Sequence, residues 1–136
     1  MASPRPLTKK QVIDLIGRGE SLASLDMRGI DLSSVNFDGV DLSEAKLAEA
    51  NLSRSTFRSA NLQAASMWHS DCKDACFDAA NLESADLDFS NLDGCSFKGA
   101  KIRKAIFPFN RVSLEEIMGS VRSGRKIRMD RRGSDD

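Results

Sequence analysis

The stretch ANLSRSTFRSANLQAASMW, residues 50–68, sets Leu52, Phe57, Leu62 and Met67 at every fifth position. An amphipathic helix repeats its apolar residues at three, four and seven, and a half-buried strand repeats them at two. Five steps along a helix rotate the side chain by about 140°, so these residues spiral around the axis. Five steps along a flat strand send successive residues to opposite faces. Neither element can bury this pattern, but a chain that turns a corner after each short extended piece can.

The period runs outward in both directions, from Leu22 to Phe107. Two residues before most of the large ones stands a small one, as at Ala45, Ala60, Ala75 and Ser90, and between them a polar residue, often Asn or Asp. A short extended piece points its small and large residues to one side. If every piece turns before the next begins, all face one interior, and successive coils stack at about 4.8 Å with their backbones paired. Asn and Asp are assigned to the corners, because their side chains bond nearby backbone.

The phenylalanines count the sides. Phe37, Phe57, Phe77 and Phe97 recur every 20 residues, which is four pentapeptides. A three-sided coil would lay Phe57 over Cys72; a four-sided one puts the rings in one core column, where offset stacking adds roughly 0.5–1.5 kcal/mol per pair. The sequence therefore predicts an all-β solenoid of square section and about four coils.

The pattern A-[ND]-L-x-x, seen as ANLSR, ANLQA, ANLES and ADLDF, resembles the pentapeptide-repeat family over about residues 22–107. The resemblance implies a right-handed quadrilateral β-helix. Departures fall at the start, where Leu25, Ile30, Val35 and Val40 fill the small slot and imply a wider or differently packed first turn, and at Cys72, which fills a large slot.

A solenoid exposes its core at both ends unless something covers them. Residues 1–21 form an N-terminal segment, with a capping box at Thr8–Gln11 that predicts a short helix over about 8–17 across the first coil. The β-helix is assigned to 22–109 and a C-terminal capping helix to 110–124, opened by a second capping box at Ser113–Glu116 and stopped at Gly124. Its stripe of Leu114, Ile117, Met118 and Val121 either seals the last coil or pairs with a second copy in a homodimer. Residues 125–136, RKIRMDRRGSDD, are expected to be a disordered basic tail.

The net charge of zero conceals a sorting of signs. Residues 19–97 carry 14 acidic and 5 basic side chains, whereas residues 98–136 carry 11 basic and 5 acidic. No apolar run can span a bilayer, the N-terminus lacks a secretory signal, and three cysteines without an export signal read as free thiols, so the expected location is the cytoplasm.

Catalysis needs convergent polar groups in a concavity, and a narrow coil filled with side chains offers none. No phosphate-binding loop, dinucleotide fingerprint, zinc-protease or nucleophile-elbow motif occurs, and there is a single histidine. The cluster His69, Asp71, Cys72 and Cys76 resembles a metal set by spacing, yet the square coil turns Cys72 inward and places His69 and Cys76 on different sides. No enzyme activity, cofactor or metal is expected.

The outward feature is a patch of Trp68, His69, Phe89 and Phe109 on one side, a candidate protein-interaction surface. The leading expectation is a non-enzymatic structural or protein–protein interaction module with an unknown protein partner. The resemblance supplies the alternative: some family members imitate duplex DNA, bind DNA gyrase and protect against fluoroquinolones. The acidic middle of the chain fits that role, but its basic end and a rod of only about 20 Å oppose it. Nucleic-acid binding by Arg122, Arg125, Lys126, Arg128, Arg131 and Arg132 is not expected, because no stacking aromatic accompanies them.

Overall fold

The computed structural model describes residues 6–129. Arg131 and Arg132 of the basic tail lie outside those residues. Parallel bridges join each polar-slot residue to the one 20 positions further on, from Asp26 with Lys46 to Asp86 with Ile106. One circuit of the chain is thus four pentapeptides. Leu32 N–H donates to Asn51 O at 2.7 Å and Asn51 N–H to Ile30 O at 2.9 Å, a pattern repeated up the sides. The bridges stay isolated because each side is too short for a longer strand.

Corners are built by the two residues after each large one. Val40 N–H closes on Phe37 O at 3.1 Å, and Ala60 N–H on Phe57 O at 3.1 Å. The second corner residue takes positive φ: Gly39 has φ 70°, and 13 non-glycine residues hold this slot at φ 56–62°. That conformation costs an L-residue roughly 1–2 kcal/mol, so the inter-coil ladder must hold it in place. The Asn and Asp of the polar slot do not occupy the corner, contrary to the sequence expectation. They stand on the ladder, one residue before the large one, and accept from the first corner N–H, as Asp31 Oδ1 does from Ser33 at 3.0 Å and Asn51 Oδ1 from Ser53 at 3.0 Å. Such a bond spans two residues, which sets the carboxamide ahead of the turn it supports.

Inside, Phe37, Phe57, Phe77 and Phe97 are fully buried and stack with centroids 4.9, 4.9 and 5.1 Å apart and planes within 6° of parallel. Phe107 meets the last ring edge-on at 5.8 Å. Where serine replaces alanine in the small slot, its hydroxyl is bonded: Ser55 Oγ donates to Leu32 O at 2.7 Å and Ser70 Oγ to Met67 O at 2.7 Å. In the first coil Val35 is buried, while Leu25, Ile30 and Val40 are only half covered. The coil keeps the 20-residue offset but leaves larger side chains part-exposed beside Pro6 and Leu7, in an open groove of about 710 Å³.

Helix α1, Lys9–Gly17, starts at Thr8 with a full capping box, Thr8 N–H donating to Gln11 Oε1 at 2.8 Å. Its Val12 is fully buried in the core, with Leu15 and Ile16 packed against it. Helix α2, Leu114–Ser123, makes only half of its capping box: Ser113 Oγ accepts from Glu116 N–H at 3.0 Å. The Glu116 carboxylate turns away, to Arg128 N–H at 3.1 Å and the Arg125 guanidinium at 3.4 Å.

That carboxylate helps hold a segment expected to lack fixed structure. Over residues 125–129 the chain runs back along the last coil: Gly94 N–H donates to Ile127 O at 2.8 Å, and Ile127 N–H to Cys95 O at 2.8 Å. Ile127 and Met129 are buried. Among the arginines of this segment Ile127 and Met129 alternate, and their side chains join the core at its open end. α2 finishes the same edge, with Ser120 Oγ accepting from Phe97 N–H at 3.0 Å and Val121 O from Gly99 N–H at 2.9 Å.

Candidate interaction edge

Side chains after each large residue point out at the corners, so residues 20 apart form outer columns. Two neighbouring columns at one corner read Arg28, Ala48, Trp68, Asp88, Pro108 and Gly29, Glu49, His69, Phe89, Phe109. The ladder fixes their order: Glu49 N–H donates to Trp68 O at 2.9 Å and His69 N–H to Asp88 O at 2.9 Å. The Trp68 ring lies 5.2 Å from His69 and 5.9 Å from Phe89, the latter edge to face. Trp68 remains 40% exposed and Phe89 57%. Three of the four aromatic residues expected in the patch therefore come together. Phe109 is also exposed, and its ring contact is with Phe107, 5.9 Å away, past the end of the coil.

His69 and Phe89 both occupy the positive-φ corner slot, at φ 59°. Glycine fills that slot at 29, 39, 94 and 99 without conformational cost. An aromatic side chain there sacrifices backbone stability to put a ring in solvent.

The remaining candidate residues separate. Cys72 and Cys95 are buried small hydrophobes, and burial pushes the Cys72 thiol up to about 12 and raises Cys95 well above its ordinary value. Cys76 is half-buried on the ladder opposite Thr56 and Ser96, and its thiol is raised mainly by burial, which disfavours the reactive thiolate. All three cysteines are unpaired. Among the described residues no group of His, Cys, Asp or Glu is arranged to hold a metal ion. Of the α2 stripe, Ile117 is fully buried against the coil, Met118 and Val121 are half-buried, and Leu114 faces outward, 57% exposed. The buried face is completed by Gly119 and Ser120 instead. Helical spacing alone missed them because neither is apolar and bulky. No helix among the described residues is long and apolar enough to cross a membrane.

A square β-solenoid with a packed centre and its side-chain variety confined to the outer columns defines a repeat protein. The chain belongs to the pentapeptide-repeat family: the family model for the pentapeptide repeat region matches residues 30–107. A pentapeptide repeat protein from Nostoc PCC 7120 is similar over 87% of this chain and 97% of its own, at 27% identity and TM-score 0.76. A pentapeptide repeat protein from the thylakoid lumen of Arabidopsis thaliana is similar at 29% identity and TM-score 0.58, over 59% of this chain and 55% of that one. HetL from Nostoc sp. strain PCC 7120, described as involved in heterocyst differentiation regulation, matches at 29% identity and TM-score 0.58, over 61% of this chain and 40% of its own. The match thus spans little more than half of the thylakoid protein and less than half of HetL. No curated protein matches the chain.

Proposed function

We propose that this chain is a non-enzymatic interaction module: a right-handed quadrilateral rod of about four coils that presents the Trp68–His69–Phe89 edge to a protein partner. The observation that carries this reading is the contact of three exposed rings at one corner, two of them in slots where an aromatic residue costs backbone energy. Tryptophan anchors are enriched among residues that dominate binding energy. Three unpaired thiols favour a reducing compartment such as the cytoplasm.

The test is affinity capture with the wild type and with a Trp68→Ala/Phe89→Ala variant of matched melting midpoint. The expected result is a specific partner retained by the first and lost by the second; equal retention refutes the reading. A second reading, association of two copies through α2, is favoured by exposed Leu114 beside half-covered Met118 and Val121. Sedimentation of wild type and Leu114→Glu distinguishes it.

A further inference from the structure

The surroundings of the aromatic edge carry a charge of one sign. Glu49 stands one coil below His69, and Asp88 one coil above Trp68. Asp86 lies on the adjoining side, bridged to Ser66, and Asp71 follows His69 around the corner. The Asp71 and Asp86 side chains accept backbone N–H bonds, from Lys73 at 3.1 Å and Asp88 at 2.9 Å, and Asp88 Oδ1 accepts from Phe89 N–H at 2.9 Å. These bonds fix the carboxylates without neutralising them. The ion pairs among the described residues are Arg28 with Asp26, Arg58 with Asp38 and Arg125 with Glu116, none of which uses the four acids around the edge. The basic residues nearest the edge are Lys73, whose backbone N–H donates to Asp71, and Lys46, bridged to Ser66 on the side away from Asp86.

Exposed π faces bordered by four carboxylates that enter none of these ion pairs form a surface complementary to a cation that is also flat and weakly hydrated. Arginine is that side chain, since it stacks on aromatic rings and pairs with carboxylates through its fork of donors. From this charge complementarity we infer that the partner contacts the edge with an arginine-bearing extended segment, its guanidinium groups laid on Trp68 and Phe89 and held by Glu49, Asp71, Asp86 and Asp88. The inference rests on the interaction reading above and names the chemistry of the partner.

Trp68 is the only tryptophan in the chain, so its fluorescence reports on the site directly. The experiment titrates the full protein with a short synthetic peptide alternating arginine and serine, and with counterparts carrying lysine or glutamate in place of arginine. The expected result is a saturable change with the arginine peptide, weaker binding of the lysine peptide and no response to the glutamate peptide. Phe89→Ala should weaken the arginine peptide about fivefold, the equivalent of one cation–π contact at an exposed site. A Glu49→Gln/Asp71→Asn/Asp86→Asn/Asp88→Asn variant retains the amide oxygens that serve the corners, so it keeps the fold, which its melting midpoint checks, while losing the attraction. Raising the salt concentration should weaken the wild type far more than this variant.

An equal response to the glutamate peptide, or an arginine response unchanged in both variants, overturns the inference. So does a concentration-dependent dimer abolished by Trp68→Ala/Phe89→Ala, which would make a second copy the occupant. If the peptides fail to bind while that double variant still loses its captured partner, the interaction edge stands and its cationic specificity falls. If the double variant keeps the partner, both fall.

Discussion

Replacing Phe57 by alanine tests the column on which the rod is built. The ring is fully buried and has a parallel neighbour on each side, Phe37 and Phe77, both at 4.9 Å. Truncating a buried phenylalanine costs about 3–5 kcal/mol, combining lost transfer energy with the cavity left behind. The coils cannot close that cavity, because the ladder fixes their spacing. Phe37 is the last ring of the stack and has one stacked neighbour, so Phe37→Ala should cost about 0.5–1.5 kcal/mol less than Phe57→Ala. Phe57→Leu keeps most of the volume and loses the ring faces, which sets its cost at about 1–1.5 kcal/mol. Urea denaturation followed by far-ultraviolet circular dichroism gives all three values, with a constant slope confirming that the same surface is exposed in each. An order other than Phe57→Ala, Phe37→Ala, Phe57→Leu, or a loss below about 1 kcal/mol in Phe57→Ala, refutes the continuous stack.

Three further outcomes follow from the geometry. Gly39→Ala and Gly94→Ala should each cost about 1 kcal/mol for the left-handed backbone, since the Asp74 carboxylate that a Cβ at 94 would meet is the end of an exposed side chain and can swing aside; paired urea midpoints check that the two agree. Ile127→Ala and Met129→Ala should each lose about 2–5 kcal/mol, and truncation after Ser123 should cause concentration-dependent association in gel filtration as Gly94 N–H and Cys95 O become an open edge. Stability should fall as the pH rises from 9.0 toward about 12, since the unfolded Cys72 thiol ionises near its ordinary value while the folded one keeps its proton; denaturation midpoints across that range should fall less steeply in Cys72→Ala, with the buried Cys95 thiol keeping part of the slope.

The core was legible because its code is redundant: one large residue in five, repeated with few exceptions, and a phenylalanine every fourth repeat to count the sides. The helix termini were legible at Thr8, Ser113 and Gly124, where capping chemistry is local. What escaped were contacts whose partners lie far apart in sequence. Glu116 reads as a capping-box residue from its neighbours, yet its carboxylate serves Arg125 and Arg128, nine and 12 residues on. Ile127 and Met129 look like breaks in a polar tail until an unpaired coil edge is set beside them. At the aromatic edge the column position of Trp68, His69 and Phe89 followed from the period, whereas the strained backbone of His69 and Phe89 did not, since nothing in either side chain announces positive φ.

This division has a physical origin. Inward residues of a solenoid carry the burial energy, and each coil meets only its neighbours, so the outer columns vary without weakening the core. The corner slot is the exception, because there an outer side chain is coupled to backbone strain. Serine, glutamate and arginine share that strain elsewhere on the rod without forming a patch. Phe89 differs in exposing a large ring and in touching another exposed aromatic side chain, so its cost is attached to a surface that the core does not use. Phe89→Gly should accordingly raise the urea midpoint while abolishing capture of the partner, and a variant that loses stability along with binding would show that the ring serves the fold.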